Sequence, residues 1–278
     1  MIDNRQPTGK INKKIIFRWI KIIVFIYCIV GMGLYFLQEK LLFHPKKLPA
    51  GYAYNFNFPF KEINIPISKT ENLSLVKFFP ADTFRKGVVL YFHGNMENIN
   101  HYAIFAKNFT RLGYEVWMPD YPGYGKSSGI LSEKELYEEA LQVYKLAHTT
   151  FSAGNIIIFG KSLGSGIAAE LASVKDCRRL ILETPYYSIP ELFNTYAPIY
   201  PTSYISKFKI PTYQYIQDVH APIAIFHGTD DELIPFYSSL KLRQYLHSGD
   251  TFIVIQHGKH NNLNESLVFH KNLDSLLQ

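Results

Sequence analysis

From residue 88 to the C-terminus, short β-branched or aromatic runs alternate with longer stretches of helix-forming composition, and that alternation restricts the fold more than any other feature. Runs at 88–92, 115–118, 155–159, 179–183, 223–226 and 251–256 have strand length, and the stretches at 100–112, 133–148, 165–173, 236–246 and 262–277 have helix length. A chain that leaves each strand through a helix re-enters the sheet from the same end, so the strands pair in parallel and the helices cover both faces. Two alternating runs at 62–67 and 73–79 predict an antiparallel pair ahead of them. The expected class is α/β, with a mostly parallel sheet that offers ligands the C-terminal ends of its strands. At 278 residues and 47% hydrophobic content, the chain can bury one substantial core.

Several reactive residues fall at those strand ends: His93, Asp120, Ser162, Glu183, and the segment from His227 to Asp231. The stretch "IIIFGKSLGSG", residues 156–166, admits two readings. As a phosphate loop, Gly160-Lys161-Ser162 needs a glycine five positions earlier, where Asn155 stands; the second Gly-Lys-Ser, at 125–127, has Asp120 there. As a nucleophile elbow, Gly160-x-Ser162-x-Gly164 needs a strand before it, a helix after it and small residues beside the serine, and it has all three. The elbow is the reading adopted.

A serine hydroxyl is a weak nucleophile at neutral pH and needs a histidine base, itself oriented by a carboxylate. In elbow folds these partners follow in the order serine, acid, histidine. "FHGTDDELIP" supplies Asp231, with Asp230 as the alternative and Glu183 as a more distant one; "IQHGKHNNL" supplies His260, with His257 as the alternative. Two backbone N–H donors must hold the oxyanion, and the expectation is Leu163 and Asn95, the latter through its main chain. His93 reads as a brace for that loop. No metal or organic cofactor is implied.

The net charge of +6 is unevenly placed: residues 1–50 carry +7 and the remainder −1. A basic leader on a near-neutral body removes the main support for nucleic-acid binding. Residues 22–38 are apolar, extended by Trp19, Ile20 and a snorkelling Lys21, and predict an N-terminal membrane helix. Arg5, Lys10, Lys13, Lys14, Arg18 and Lys21 precede it and Lys40, Lys46 and Lys47 follow, a bias that favours an inside N-terminus and a translocated domain. A cleaved signal peptide with Gly31-Met32-Gly33 as its site, releasing a secreted or periplasmic domain, is the competing reading. Cys28 and Cys177 offer neither a disulfide nor a thiolate metal site. The expected organisation is a cytoplasmic tail and anchor at 1–40, a linker at 41–60 and a catalytic domain at 61–278. Within it, 184–219 is rich in tyrosine and proline and reads as a small lid over an acyl or aromatic pocket.

Taken in order, "FLQEKLLFHP", "YFHGNMENI", "DYPGYGKSSG", "FGKSLGSG", "LETPYYS", "HGTDDELIP" and "GKHNNL" resemble the alpha/beta-hydrolase superfamily, and within it the membrane-anchored Bem46/ABHD13-like serine hydrolases. The resemblance runs from about Tyr35 to the C-terminus. It implies the alpha/beta-hydrolase fold, a Ser162-Asp231-His260 triad, and an N-terminal helix that anchors the chain. Pro122 stands where relatives often carry arginine and Lys259 where glycine is common; neither change removes a catalytic group. The expected activity is hydrolysis of a carboxylic ester or thioester, with a small-molecule or lipid-like acyl substrate. The alternatives are a serine peptidase or amidase, with Glu97 or Glu183 receiving a substrate amine, and a non-catalytic membrane scaffold.

Overall fold

Eight strands form one sheet in the computed structural model, which describes residues 13–82 and 84–278. They are β1 (Phe60–Pro66), β2 (Asn72–Phe78), β3 (Gly87–Phe92), β4 (Tyr114–Pro119), β5 (Ile156–Lys161), β6 (Arg179–Glu183), β7 (Ile223–Gly228) and β8 (Thr251–Ile255). Their spatial order is β1-β2-β4-β3-β5-β6-β7-β8. The β1–β2 and β2–β4 pairs are antiparallel and all others are parallel. The chain crosses from β3 to β4 on one side and returns to β5 on the other, so the sheet's switch point, where ligands of open α/β sheets sit, lies beyond the ends of β3 and β5.

The apolar runs are uninterrupted because the central strands are covered on both faces. Val88, Leu90, Ile156 and Ile158 belong to one core layer, and Val89, Tyr91, Ile157 and Phe159 to the other.

The longer helices are α1 (Lys13–Leu42), α2 (Glu133–His148), α3 (Leu163–Val174), α4 (Ile189–Tyr196) and α5 (Leu267–Leu277). The bounds of α2 are set by its caps. The Ser132 hydroxyl accepts the Glu135 N–H, Glu133 and Glu135 meet the positive end of the helix dipole, and Lys145 and His148 meet the negative end.

Three expected helices are corrected. The stretch at 100–112 divides into Ile99–Tyr102, a 3-10 segment Ala103–Ala106, and Lys107–Thr110. Tyr102 is held in the loop after β3, its hydroxyl accepting the Met96 N–H and its ring stacked on His93, and the tightened turns beyond it bury Ala103 and Ala106. The stretch at 236–246 is helical only over Phe236–Leu240 before tightening to 3-10 geometry at Lys241–Tyr245. The last helix begins at Leu267, because Ser266 is extended and caps it through the Val268 N–H, leaving Leu263–Glu265 as a separate turn.

α1 has 30 residues, about 45 Å at 1.5 Å per residue. Its apolar window is unburied, with Phe17, Phe25 and Phe36 all about two-thirds exposed, so the body of the protein does not account for its composition. Among the described residues it is the one helix long and apolar enough to cross a membrane. It runs to Leu42, two residues past the boundary expected at 40, and it is unbroken across Gly31-Met32-Gly33. The flanking charges Arg5 and Lys10 lie outside the described residues.

Its C-terminal turns reach the body, where Gln38 and Leu42 are buried. Beyond them, Tyr54, Phe56 and Phe58 of the linker pack in sequence toward Phe78 of β2. A two-residue parallel bridge, His44–Pro45 with Met96–Glu97, ties the linker to the loop after β3.

The segment between β6 and β7 contains α4 and the short helices Thr202–Ile205 and Thr212–Tyr215. Its aromatic residues serve two surfaces. Tyr187 and Tyr213 stack on each other, whereas Tyr200 stacks on Tyr27 of α1.

Candidate active site

β5 delivers Ser162 into a turn with φ 51° and ψ −119°, a left-handed conformation that a non-glycine residue adopts only when its surroundings enforce it. The enforcement is visible. The Ser162 N–H donates to the Glu183 carbonyl (2.9 Å), and the Ser162 carbonyl accepts both the N–H (2.9 Å) and the hydroxyl (2.6 Å) of Ser165. A Cβ on Gly164 would meet the Phe92 carbonyl and one on Gly160 would meet the Gly164 carbonyl, so both positions exclude a side chain for want of space.

The Ser162 hydroxyl is 3.0 Å from His260 Nε2, and His260 Nδ1 is 2.9 Å from Asp231 Oδ2. With the proton on Nδ1, the ring donates to the carboxylate and accepts from the serine. All three residues are buried. Asp231 receives two main-chain donors as well, the N–H groups of Leu233 (2.9 Å) and Ile234 (2.8 Å), both on Oδ1, and His227 Nε2 lies 3.2 Å from Oδ2. Burial acts to raise its pKa, but the hydrogen bonds from His227 and His260 and the backbone outweigh it and hold the carboxyl below its ordinary value.

The competing residues sit elsewhere. Asp230 and His257 pair with each other at 3.1 Å on the exposed surface. Glu183 is buried in an ion pair with Lys161, the residue immediately before the nucleophile candidate, and also accepts from Asn264 Nδ2 (3.2 Å). Lys161 Nζ lies 3.3 Å from the His260 carbonyl as well, so this pair braces the loop that carries the histidine.

Leu163 opens α3, where the first amides lack intrahelical acceptors. The Asn95 side chain donates to the Leu42 carbonyl (2.7 Å), and the Asn95 carbonyl accepts from His44 N–H and the Tyr124 hydroxyl. Both residues line the same cavity as Ser162 and His260. His93 is buried among Tyr102, Tyr121 and Tyr124 with Nδ1 on the Gly94 carbonyl, and Asp120 accepts the Ile99 N–H, so both brace the loop after β3.

The cavity has a volume of about 580 Å³ and is walled by α1, the loop after β3, α4 and the segment following it. Sequence reasoning left out Lys161, which it considered only within a phosphate loop, together with Asn264 and the α1 wall, and it placed His227 at a strand end without giving it a role. The sequence carries no signal for Lys161: it and Glu183 become register partners at the ends of adjacent strands only in the folded sheet.

A family model described as "Serine aminopeptidase, S33" matches residues 84–209. Protein bem46 of Schizosaccharomyces pombe is 28% identical over 224 residues, covering 74% of each chain. Alpha/beta hydrolase domain-containing protein 17C of Xenopus tropicalis is 33% identical over 162 residues, 55% of this chain, which spans about half (49%) of that relative. Among solved structures, an esterase from Pyrococcus furiosus aligns with TM-score 0.65 at 16% identity over 85% of this chain and 97% of that one. A soluble variant of the monoglyceride lipase from Saccharomyces cerevisiae aligns with TM-score 0.61 at 17% identity, over 83% and 97%.

Proposed function

We propose that this chain, a member of the alpha/beta-hydrolase superfamily that resembles Bem46-like proteins, is a membrane-anchored serine hydrolase of carboxylic esters or thioesters. The observation that carries the proposal is the continuous contact from Ser162 through His260 to Asp231 at the floor of an apolar cavity. His260 Nε2 takes the hydroxyl proton as Ser162 Oγ attacks the acyl carbon, and the Leu163 and Asn95 amides hold the oxyanion. The tetrahedral adduct expels the alcohol or thiol, which leaves with the proton from His260. Water, deprotonated by the same ring, then attacks the acyl-enzyme and releases the acid, returning the proton to Ser162. Asp231 fixes the tautomer and compensates the imidazolium.

The aminopeptidase reading fits these residues less well. A substrate amine needs an unpaired carboxylate at the cavity, but Glu183 is neutralised by Lys161, and Glu97, which lines the cavity, pairs with Lys46 at 3.3 Å. The proposed organisation is an anchor at 1–40 with its N-terminus inside, a linker at 41–60 and a catalytic domain at 61–278 with its lid at about 184–219. The exposed apolar length of α1 and the flanking lysines and arginines support it.

The test is a fluorophosphonate probe read by intact mass on the full chain and on Ser162→Ala. One added phosphonyl group on the wild type and none on the variant is expected. An unlabelled, folded wild type overturns the proposal.

A further inference from the structure

The cavity above Ser162 is not walled by the catalytic domain alone. Leu34, Gln38, Leu41 and Leu42 of α1 line it, as do Leu192 and Phe193 of α4 and Ile205 beyond it. Gln38, the polar member of that wall, is fully engaged: Nε2 donates to the Tyr35 carbonyl (2.8 Å) and the Ile205 carbonyl (3.1 Å), and Oε1 accepts the Lys207 N–H (2.6 Å). What α1 offers a ligand is therefore hydrocarbon. Seven lining residues are also exposed and so mark the mouth: Leu41, Met96, Tyr196 and Leu233, together with His44, His101 and Asn261. The first four are apolar or aromatic, with Leu41 in the last turn of α1, and the last three are polar, so the mouth has both an apolar and a polar side.

The same helix seats the tip of the segment between β6 and β7. Tyr200 stacks on Tyr27, the Tyr27 hydroxyl donates to the Ile199 carbonyl (3.1 Å), and the Tyr200 hydroxyl donates to the Tyr27 carbonyl (3.2 Å). Tyr27 precedes Leu41 by about 21 Å of helix axis. With residues 22–38 in a bilayer, this tip lies alongside the apolar span, where the exposed Ile199 and Tyr204 are solvated by lipid, and the mouth at Leu41 falls at the interface.

We infer that the last turns of α1 form one wall of the acyl-binding site, and that the substrate is a monoacyl lipid ester entering from the bilayer. This deepens the hydrolase reading above and rests on it. An amphiphile in the leaflet presents its ester at the depth of the mouth, so the carbonyl reaches Ser162 while the chain passes from lipid into the space between α1 and α4 without crossing water. At about 580 Å³ the cavity lies in the size range of sites that take a single small-molecule ligand, roughly 300–1,000 Å³.

The experiment uses the full chain in phosphatidylcholine vesicles with 1-monoacylglycerols of graded chain length. The expected wild-type profile rises toward long chains. Leu34→Trp and Leu41→Trp are expected to move the optimum to shorter chains and lower the long-to-short ratio of kcat/KM at least tenfold. Ile130→Trp, at an exposed position away from the cavity, is expected to keep the wild-type ratio. A wild type that labels at Ser162 but has a flat profile, or tryptophan variants that change both lengths equally, overturns this inference alone. A wild type that neither labels nor turns over any ester overturns the hydrolase reading and this inference with it.

Discussion

Lys161 and Glu183 end adjacent strands in register and form an ion pair in which both side chains are almost fully buried. The ammonium also lies against the carbonyl of His260, and the carboxylate accepts from Asn264, so the pair links the elbow strand to the loop that carries the candidate base. Lys161→Met leaves a buried carboxylate uncompensated and is expected to cost about 3–5 kcal/mol. The Lys161→Met, Glu183→Gln double variant removes both charges and is expected to recover more than half of that loss. Urea unfolding of the three proteins measures both quantities.

Gly164 is closed to a side chain by the Phe92 carbonyl, which belongs to the central strand β3 and cannot move aside. Gly164→Ala is expected to displace Ser162 and abolish fluorophosphonate labelling, at a stability cost of about 1–3 kcal/mol from overpacking. Labelling at the wild-type rate in a folded Gly164→Ala protein would contradict the assigned elbow geometry.

Asp231→Asn presents His260 with an amide in place of a carboxylate and favours the wrong tautomer. A fall in kcat of about 10³–10⁴ is expected. The carboxyl is held below its ordinary value of 3.8, so its contribution to stability is present above that pH and is lost as pH falls through the depressed value. Acid unfolding of the wild type is therefore expected to be steeper below pH 3.8 than that of the variant.

Glu139 on α2 has the opposite linkage. Burial, with Glu135 and Glu71 nearby, pushes its pKa up from 4.5 to about 9, and one of its oxygens has no hydrogen-bond partner. The protonated form is the one the fold accommodates, so its stability is fully present below pH 4.5 and declines as pH rises toward 9. Glu139→Gln is expected to flatten that decline and to gain on the order of 2–4 kcal/mol over wild type at pH 8. Thermal unfolding at pH 5 and pH 8 is the check; equal shifts at both values would exclude the linkage.

Gln38 joins α1 to the segment beyond α4 through the Ile205 carbonyl and the Lys207 N–H. Gln38→Ala leaves both without that partner, a cost of about 1–3 kcal/mol borne locally. Faster amide exchange across 199–208, with the central strands unchanged, is the expected outcome by mass spectrometry.

Local chemistry in the amino-acid sequence determined the alternation that makes the sheet, the apolar runs buried on both faces, the caps of α2 and the length of α1. Each depends on near neighbours, on periodicity or on total apolar length, and is present in the chain before it folds. The elbow belongs here too, because Gly160 and Gly164 stand within two residues of the serine whose turn they permit. What only the tertiary structure decided is which distant groups meet. Asp231 lies against His260, and Asp230 against His257, because the turn after β7 sends one side chain into the buried site and its neighbour to the surface, a difference that composition does not register. The break in the 100–112 helix follows from the hold of the loop after β3 on Tyr102, and the tightening at 241–245 likewise shows only in the folded chain. The Lys161–Glu183 pair and the α1 wall of the cavity arise between residues 22 and more than 120 positions apart, where proximity is set by strand register and by the way one helix end seats on the domain.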